Sequence, residues 1–234
     1  AAAKEVIRSV LAQSVAHLLR HDPIVRTGGD PEAVHQARVA IRTLRSNLRT
    51  FGPLLDPEWT EPIRTELGWL GLALGAVRDR EVLLDRLRAR ATSLPHGDQR
   101  AAASLLSVMD KEIEELRHKL IVDLDSARYV DLIERLVAAA LAPRYAAEAV
   151  QAVAGPVATS FARAAAKLQT VLGEHQDSVT AQAWLRSARA TGRRAFAAGE
   201  LIAMEHIAAN DARAKWLKVW KALDRKRLRS WIGT

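Results

Sequence analysis

Asp30-Pro31-Glu32-Ala33-Val34-His35-Gln36-Ala37-Arg38-Val39-Ala40-Ile41-Arg42-Thr43-Leu44-Arg45-Ser46-Asn47-Leu48-Arg49-Thr50-Phe51-Gly52-Pro53 is the stretch on which the reading of this chain turns. It opens with a side chain that caps helix starts, a proline suited to the first helical position and an early acid, and Gly52-Pro53 closes it. Between Glu32 and Asp56 there is no acidic residue, while His35, Arg38, Arg42, Arg45 and Arg49 follow one another at spacings of 3, 4, 3 and 4. At about 100° per residue these five side chains fall within an arc of roughly 80° on one side of a helix. Val34, Ala37, Ile41, Leu44, Leu48 and Phe51 repeat that spacing one residue earlier, so an apolar stripe runs beside the cationic one. Such a helix can bury one edge in a core and hold the other over a groove. Like charges at these spacings repel one another, so the stripe is expected to face an anion.

Composition narrows the class. The 234 residues are 49% hydrophobic but only 5% aromatic, with long stretches free of Pro and Gly, which reads as a nearly all-helical protein. The length supports one large domain or two subdomains. Thirty-five Lys and Arg against 27 Asp and Glu leave a net charge of +8, which favours nucleic acid, an acidic membrane or a polyanion as partner. Without cysteine the chain has no disulfide or thiolate metal site and fits a reducing cytoplasm. No apolar run approaches the roughly 18 residues of a membrane span, and a start containing Lys4, Glu5 and Arg8 lacks the apolar middle of a signal peptide. A soluble, cytoplasmic protein with no membrane partner is expected. A first residue other than Met is expected of a piece cut from a longer chain.

Periodicity and punctuation predict a first amphipathic helix over 3–20, ending near His21-Asp22-Pro23, then the striped helix, a third from Trp59 or Pro62 to Leu94 softened at Gly68, Gly71 and Gly75, and a fourth over 98–122. Short loops alternate their direction, as in a bundle. The second half predicts helices near 126–141, 144–154, 156–190 and 193–232. Leu74-Gly75-Ala76-Val77-Arg78-Asp79, with Leu87-Arg88 following, matches Leu172-Gly173-Glu174-His175-Gln176-Asp177, with Leu185-Arg186 following, at a constant offset of 98 residues. A repeat of that length suggests two related bundles. The expected organisation is a first four-helix bundle over 1–124 and a second over 125–234.

These residues resemble the CHAD family, the α-helical domain named for its histidines. The likeness is carried by His35-x-x-Arg38-Val39-x-x-Arg42-x-Leu44-Arg45 opening a helix, by Glu66-Leu67-x-Trp69-Leu70 before Leu74-Gly75-x-x-Arg78-Asp79, by Arg144-Tyr145-Ala146-Ala147-Glu148, and by Leu168-Gln169-x-x-Leu172-Gly173-x-His175-Gln176-Asp177. The motifs stand in the family's order from residue 5 to about 190. The resemblance implies an all-α fold of two pseudo-symmetric antiparallel four-helix bundles around a basic central groove that binds inorganic polyphosphate. It also implies a CYTH domain fused upstream of Ala1, and cytoplasmic polyphosphate granules as a place of association. One segment departs from the family. Where a second His-x-x-Arg stripe belongs, residues 134–143 form an apolar helix end, and Arg144-Tyr145 begins in mid-motif. Either that stripe has diverged or residues are absent between Pro143 and Arg144.

The stripe suits a phosphate chain. Arginine offers a planar fork of donors, keeps its charge at physiological pH and sheds water more easily than an ammonium. From His35 to Arg49 the five positions climb about 21 Å at 1.5 Å per residue. The polyphosphate-binding set is therefore His35, Arg38, Arg42, Arg45 and Arg49, joined through the resemblance by Arg78, Arg144 and His175, with Lys167 and Lys218 as further contributors. Arg163 stands with Lys167 at i,i+4, and Lys218, Lys221 and Arg225 share a face of a basic C-terminal block. Asp79 and Asp177 carry the wrong sign for phosphate and are expected to orient arginines or cap helix ends, while Gly75 and Gly173 are expected to allow close helix packing. Two other classes compete. A nucleic-acid binder explains the charge but would need aromatic stacking platforms or a groove-reading motif. A metal-dependent phosphohydrolase built on Asp79, Asp177 and the histidines would need clustered carboxylates or a nucleophile with its base. No specific nucleic acid, catalytic residue, cofactor or metal is therefore expected.

Overall fold

The computed structural model describes residues 2–28, 30–141 and 156–223. They form α1 (Ala2–Thr27), α2 (Pro31–Thr50), α3 (Pro57–Ala91), α4 (His96–Leu124), α5 (Ala127–Leu141), α6 (Pro156–Ser187) and α7 (Arg193–Leu223), with a 3₁₀ turn at Gly52–Leu54. The fold is all-α, as expected, and among the described residues there is no strand. The helix predicted over 144–154 and the last residues of the one predicted over 193–232 lie outside the described residues.

Local chemistry explains where α2 begins. Asp30 has extended backbone, and its carboxylate accepts the Glu32 amide at 2.9 Å, satisfying an amide that has no partner within the helix. Pro31 takes a position where no donor is needed. The apolar stripe then goes inward: Val34, Ala37, Ile41, Leu44 and Leu48 are buried.

Two expectations about helix continuity are corrected. α1 does not end at Pro23 but runs through it to Thr27. Its last turn is held by tertiary contacts: Val25 is buried, and Arg26 pairs with Asp22 at 2.9 Å and donates to the Leu124 carbonyl at 2.7 Å and to Asp125. Gly28, at φ +68°, ends the helix in a conformation that other residues rarely adopt. α3 is not softened by its glycines and stays unbroken from Pro57 to Ala91. Those glycines face α2. A methyl group on Gly71 would lie 3.3 Å from Ile41 Cγ2, one on Gly75 3.2 Å from Arg38 Nη1, and one on Gly68 3.9 Å from Arg45.

The chain divides into two compact units. One comprises Ala1–Glu81 with Lys111–Ala149, the other Val82–Asp110 with Val150–Thr234, so α3 and α4 each contribute one end to either unit. The first has a core built on Leu44, Leu48, Ile63, Leu67, Leu70 and Leu132, where each fully buried leucine is worth about 1.5–3 kcal/mol. The second buries Leu87, Leu106, Met109, Leu185 and Leu201.

Each unit also sequesters a carboxylate. In the first, Glu81 accepts Arg117 at 2.6 Å, with Arg78 at 3.6 Å. In the second, the fully buried Glu205 receives Arg86 at 2.8 Å and Arg90 at 3.2 Å, and Arg86 also donates to the Ser178 hydroxyl at 2.6 Å. Buried carboxylates persist only when paired in this way.

Candidate functional site

α2 presents its cationic residues along the edge beside its buried stripe. Arg42, Arg45 and Arg49 are exposed, and His35 and Arg38 are half-buried. The contacts of Arg45, Ile41 and Arg38 with Gly68, Gly71 and Gly75 descend α2 while they climb α3. This antiparallel register brings the positions of His35 and Arg78 level with each other.

The five stripe residues do not share one environment. Arg38 is anchored: it donates to the Asp79 carboxylate and, at 3.4 Å, to the Gly75 carbonyl, so Asp79 orients an arginine as its sign suggested. Arg42, Arg45 and Arg49 have no carboxylate partner among the described residues. Three guanidinium groups are thus free to receive an outside anion, and a fourth is held beside them in a set orientation. Such an arrangement can take phosphate oxygens two at a time.

Arg78 is placed differently from the stripe. It is mostly buried and turned toward Glu81, whose charge it shares with Arg117. Arg144 lies outside the described residues. Lys167 and Arg163 are exposed on α6, and Lys218 is exposed on α7. His175 is half-buried and lines an open cleft of about 260 Å³ with Val171, Leu172, Ala212, Arg213 and Trp216. The first unit therefore brings together the residues of α2 with Asp79 and Gly75. The second places His175 beside Arg213 rather than in a row of arginines.

Gly173 is corrected as well. A methyl group there would meet nothing within 4 Å, so it marks no close packing, unlike its repeat partner Gly75. Sequence reading also missed Glu81 and Glu205. No spacing rule joins Arg86 to a glutamate 119 residues away, because only the fold makes them neighbours. Among the described residues no group of three or more His, Asp or Glu is placed to hold a metal ion, and no helix is long and apolar enough to cross a membrane.

The chain matches the CHAD domain family model over residues 9–143 and 139–186, two pieces that meet where the second basic segment was expected. It is similar in structure to PptA from Streptomyces chartreusis, at a TM-score of 0.68 and 18% identity over 93% of this chain and 99% of that one. It is also similar to the crystal structure of the CHAD domain from the plant Ricinus communis, at a TM-score of 0.64 and 24% identity over 92% of this chain and 91% of that one. No curated protein matches the chain. The structural likenesses bear on the fold, whereas the family match spans most of the sequence. With motif order, helical architecture and family match in agreement, the chain belongs to the CHAD domain family.

Proposed function

We propose that the protein binds inorganic polyphosphate along the cationic edge of α2 without transforming it. The observation that carries this reading is the row of exposed, carboxylate-free guanidinium groups at Arg42, Arg45 and Arg49, with Arg38 held in line by Asp79. The row is straight, covers about 21 Å from His35 to Arg49 and repeats with the helix, which suits a polymer of identical anions. The resemblance to CHAD domains supports the same ligand and a basic groove to hold it. Arg78, Arg144, Lys167, His175 and Lys218 extend the binding set, and the setting is cytoplasmic.

Binding of this kind is electrostatic and indifferent to chain ends. Affinity rises with chain length until the row is filled, then levels off. A non-catalytic role is supported by Asp79, the carboxylate beside the stripe, which is committed to Arg38. Hydrolysis would require carboxylates grouped around a metal or beside a nucleophile.

Salt dependence alone does not separate polyphosphate from nucleic acid, since both displace counterions. Isothermal titration with long-chain polyphosphate and with single-stranded DNA at one fixed salt concentration does. Polyphosphate is expected to bind more tightly and to displace a bound oligonucleotide. DNA that displaces polyphosphate, while polyphosphate fails to displace DNA, overturns the reading. Orthophosphate release with Mg²⁺ or Mn²⁺ that vanishes in Asp79→Ala overturns the non-catalytic part.

A further inference from the structure

Arg78 is held in a way that does not satisfy it. Its side chain is only 22% exposed, yet its guanidinium makes no hydrogen bond among the described residues. Its contact with Glu81 is an ion pair from Nη1 to Oε2 at 3.6 Å, beyond hydrogen-bond reach. A guanidinium consists entirely of donors, and a mostly buried one ordinarily finds acceptors for them. None of the Arg78 nitrogens is shut off from solvent, so a ligand can still meet them.

Glu81 does not depend on Arg78. Arg117 of α4 gives Glu81 Oε1 two hydrogen bonds, from Nη2 at 2.6 Å and from Nε at 3.2 Å. Its Nη1 also donates to the Gly28 carbonyl at 3.2 Å, so Arg117 is tied both to α3 and to the turn before α2. Glu81 Oε2, the oxygen nearest Arg78, is buried and accepts no hydrogen bond. A buried carboxylate has to keep a counter-charge, and Arg117 supplies one in direct contact. Departure of Arg78 therefore forfeits one long ion pair and no hydrogen bond.

The register of α3 on α2 says what Arg78 can reach instead. Gly71, Gly75 and Arg78 follow one another at spacings of 4 and 3, which places them on one face of α3. Gly71 meets Ile41 and Gly75 meets Arg38. Continued by one turn, that antiparallel register brings residue 78 level with Val34 and His35, where the cationic row begins. Asp79, the next residue, already holds Arg38 of that row. Arg78, Glu81, Arg117 and the whole of α2 belong to the first unit.

We propose that Arg78 is a parked member of the row. In the free protein it rests against Glu81. When polyphosphate lies along α2, Arg78 leaves Glu81 and takes a phosphate at the His35 end, while Arg117 keeps the buried carboxylate neutralised. This rests on the reading that α2 binds polyphosphate, and it makes Glu81 a positioning residue that holds Arg78 back until an anion competes for it. The exchange is favourable because charge-assisted hydrogen bonds to phosphate oxygens replace a contact that contains none. Parking also keeps a further like charge away from Arg38 in the free protein.

The test uses the full chain and long-chain polyphosphate, with Kd measured at several salt concentrations. The slope of log Kd against log salt counts the cations that meet phosphates, a quantity that a merely structural role does not move. Arg78→Gln is expected to raise Kd at least about five-fold and to lower that slope by about 1. Glu81→Gln releases Arg78 and is expected to tighten binding about three-fold, a gain that disappears in Glu81→Gln/Arg78→Gln. Glu81→Gln also deprives Arg117 of its counter-charge, so circular dichroism melting must show that it folds. A second measurement needs no altered carboxylate: the Nε–H resonance of Arg78, assigned with Arg78→Lys, should move when polyphosphate is added to the unaltered chain. Polyphosphate that fails to bind the unaltered chain overturns the α2 reading and this proposal together. Binding by the unaltered chain overturns the proposal alone if Arg78→Gln keeps the parent Kd and salt slope, if the Arg78 resonance stays in place, or if a folded Glu81→Gln binds no more tightly.

Discussion

The guanidinium of Arg38 on α2 is anchored by the carboxylate of Asp79 on α3, 41 residues along the chain. The same nitrogen reaches the Gly75 carbonyl at 3.4 Å, and it can approach so closely only because residue 75 has no side chain. Asp79 therefore aims an arginine of the row. Asp79→Ala raises the net positive charge, yet is expected to weaken polyphosphate binding about five-fold, the worth of roughly 1 kcal/mol for one oriented hydrogen bond. Titration calorimetry at fixed salt reads the sign. Tighter binding would show that the carboxylate merely competes.

Charge reversal separates the row from the rest of the basic surface. Arg42→Glu/Arg45→Glu removes two guanidinium groups that no described carboxylate engages and should lower polyphosphate affinity at least about 30-fold, at about 1–2 kcal/mol per charge-assisted contact. Arg88, already paired with Asp110 at 2.9 Å, and the exposed Arg100 lie in the other unit, and their reversal should change affinity less than about three-fold. Both double variants should melt within a few degrees of the parent, since none of the four side chains is buried. Equal losses in the two variants would show that α2 is not the site.

Stability, by contrast, depends on carboxylates that are no part of the α2 row. Glu205 is fully buried between Arg86 and Arg90. Glu205→Ala leaves two guanidinium groups without their counter-charge and should cost about 3–5 kcal/mol. For a chain of this size that lowers Tm by roughly 6–20 °C. Polyphosphate affinity, measured well below the transition, should not move. Thermal unfolding by circular dichroism checks the first part and calorimetry the second.

Tyr129 ties α5 to α1 through a pH-sensitive contact. Its hydroxyl donates to Asp22 at 2.7 Å, and burial, then the hydrogen bond to that carboxylate, push its pKa well above the ordinary value of about 10. The folded state therefore keeps a proton that the unfolded chain releases. The resulting stability is fully present below pH 10 and declines above it, by roughly 1 kcal/mol for each pH unit. Urea unfolding at pH 9 and pH 11 should show this loss on top of any common to the whole protein, and Tyr129→Phe should lack it. An identical pH response in the two proteins would contradict the assignment.

Local information in the chain was enough for the helices and for the row. The capping Asp30, the helix-starting Pro31 and the period of the two stripes act within a few residues, so α2 and its two edges are legible from residues 30–53 alone. Gly68, Gly71 and Gly75 were legible as unusual, but not as the surface on which α2 rests. Pro23 misled because the contacts that carry α1 past it, from Arg26 to Leu124 and Asp125, lie about a hundred residues away.

The sequence by itself determined that this protein is helical, basic and of the CHAD type, and that five cationic side chains share one side of a helix, because periodicity and capping are short-range. Only the tertiary structure decided which of those cations is spoken for. Arg38 meets Asp79 and Arg78 turns to Glu81, whereas Arg42, Arg45 and Arg49 have no carboxylate partner among the described residues. It also decided that Leu74 is buried while Leu172, its repeat partner, is half exposed. Pairing and burial depend on which elements the fold brings together, and nothing in the local pattern of a helix specifies its neighbours.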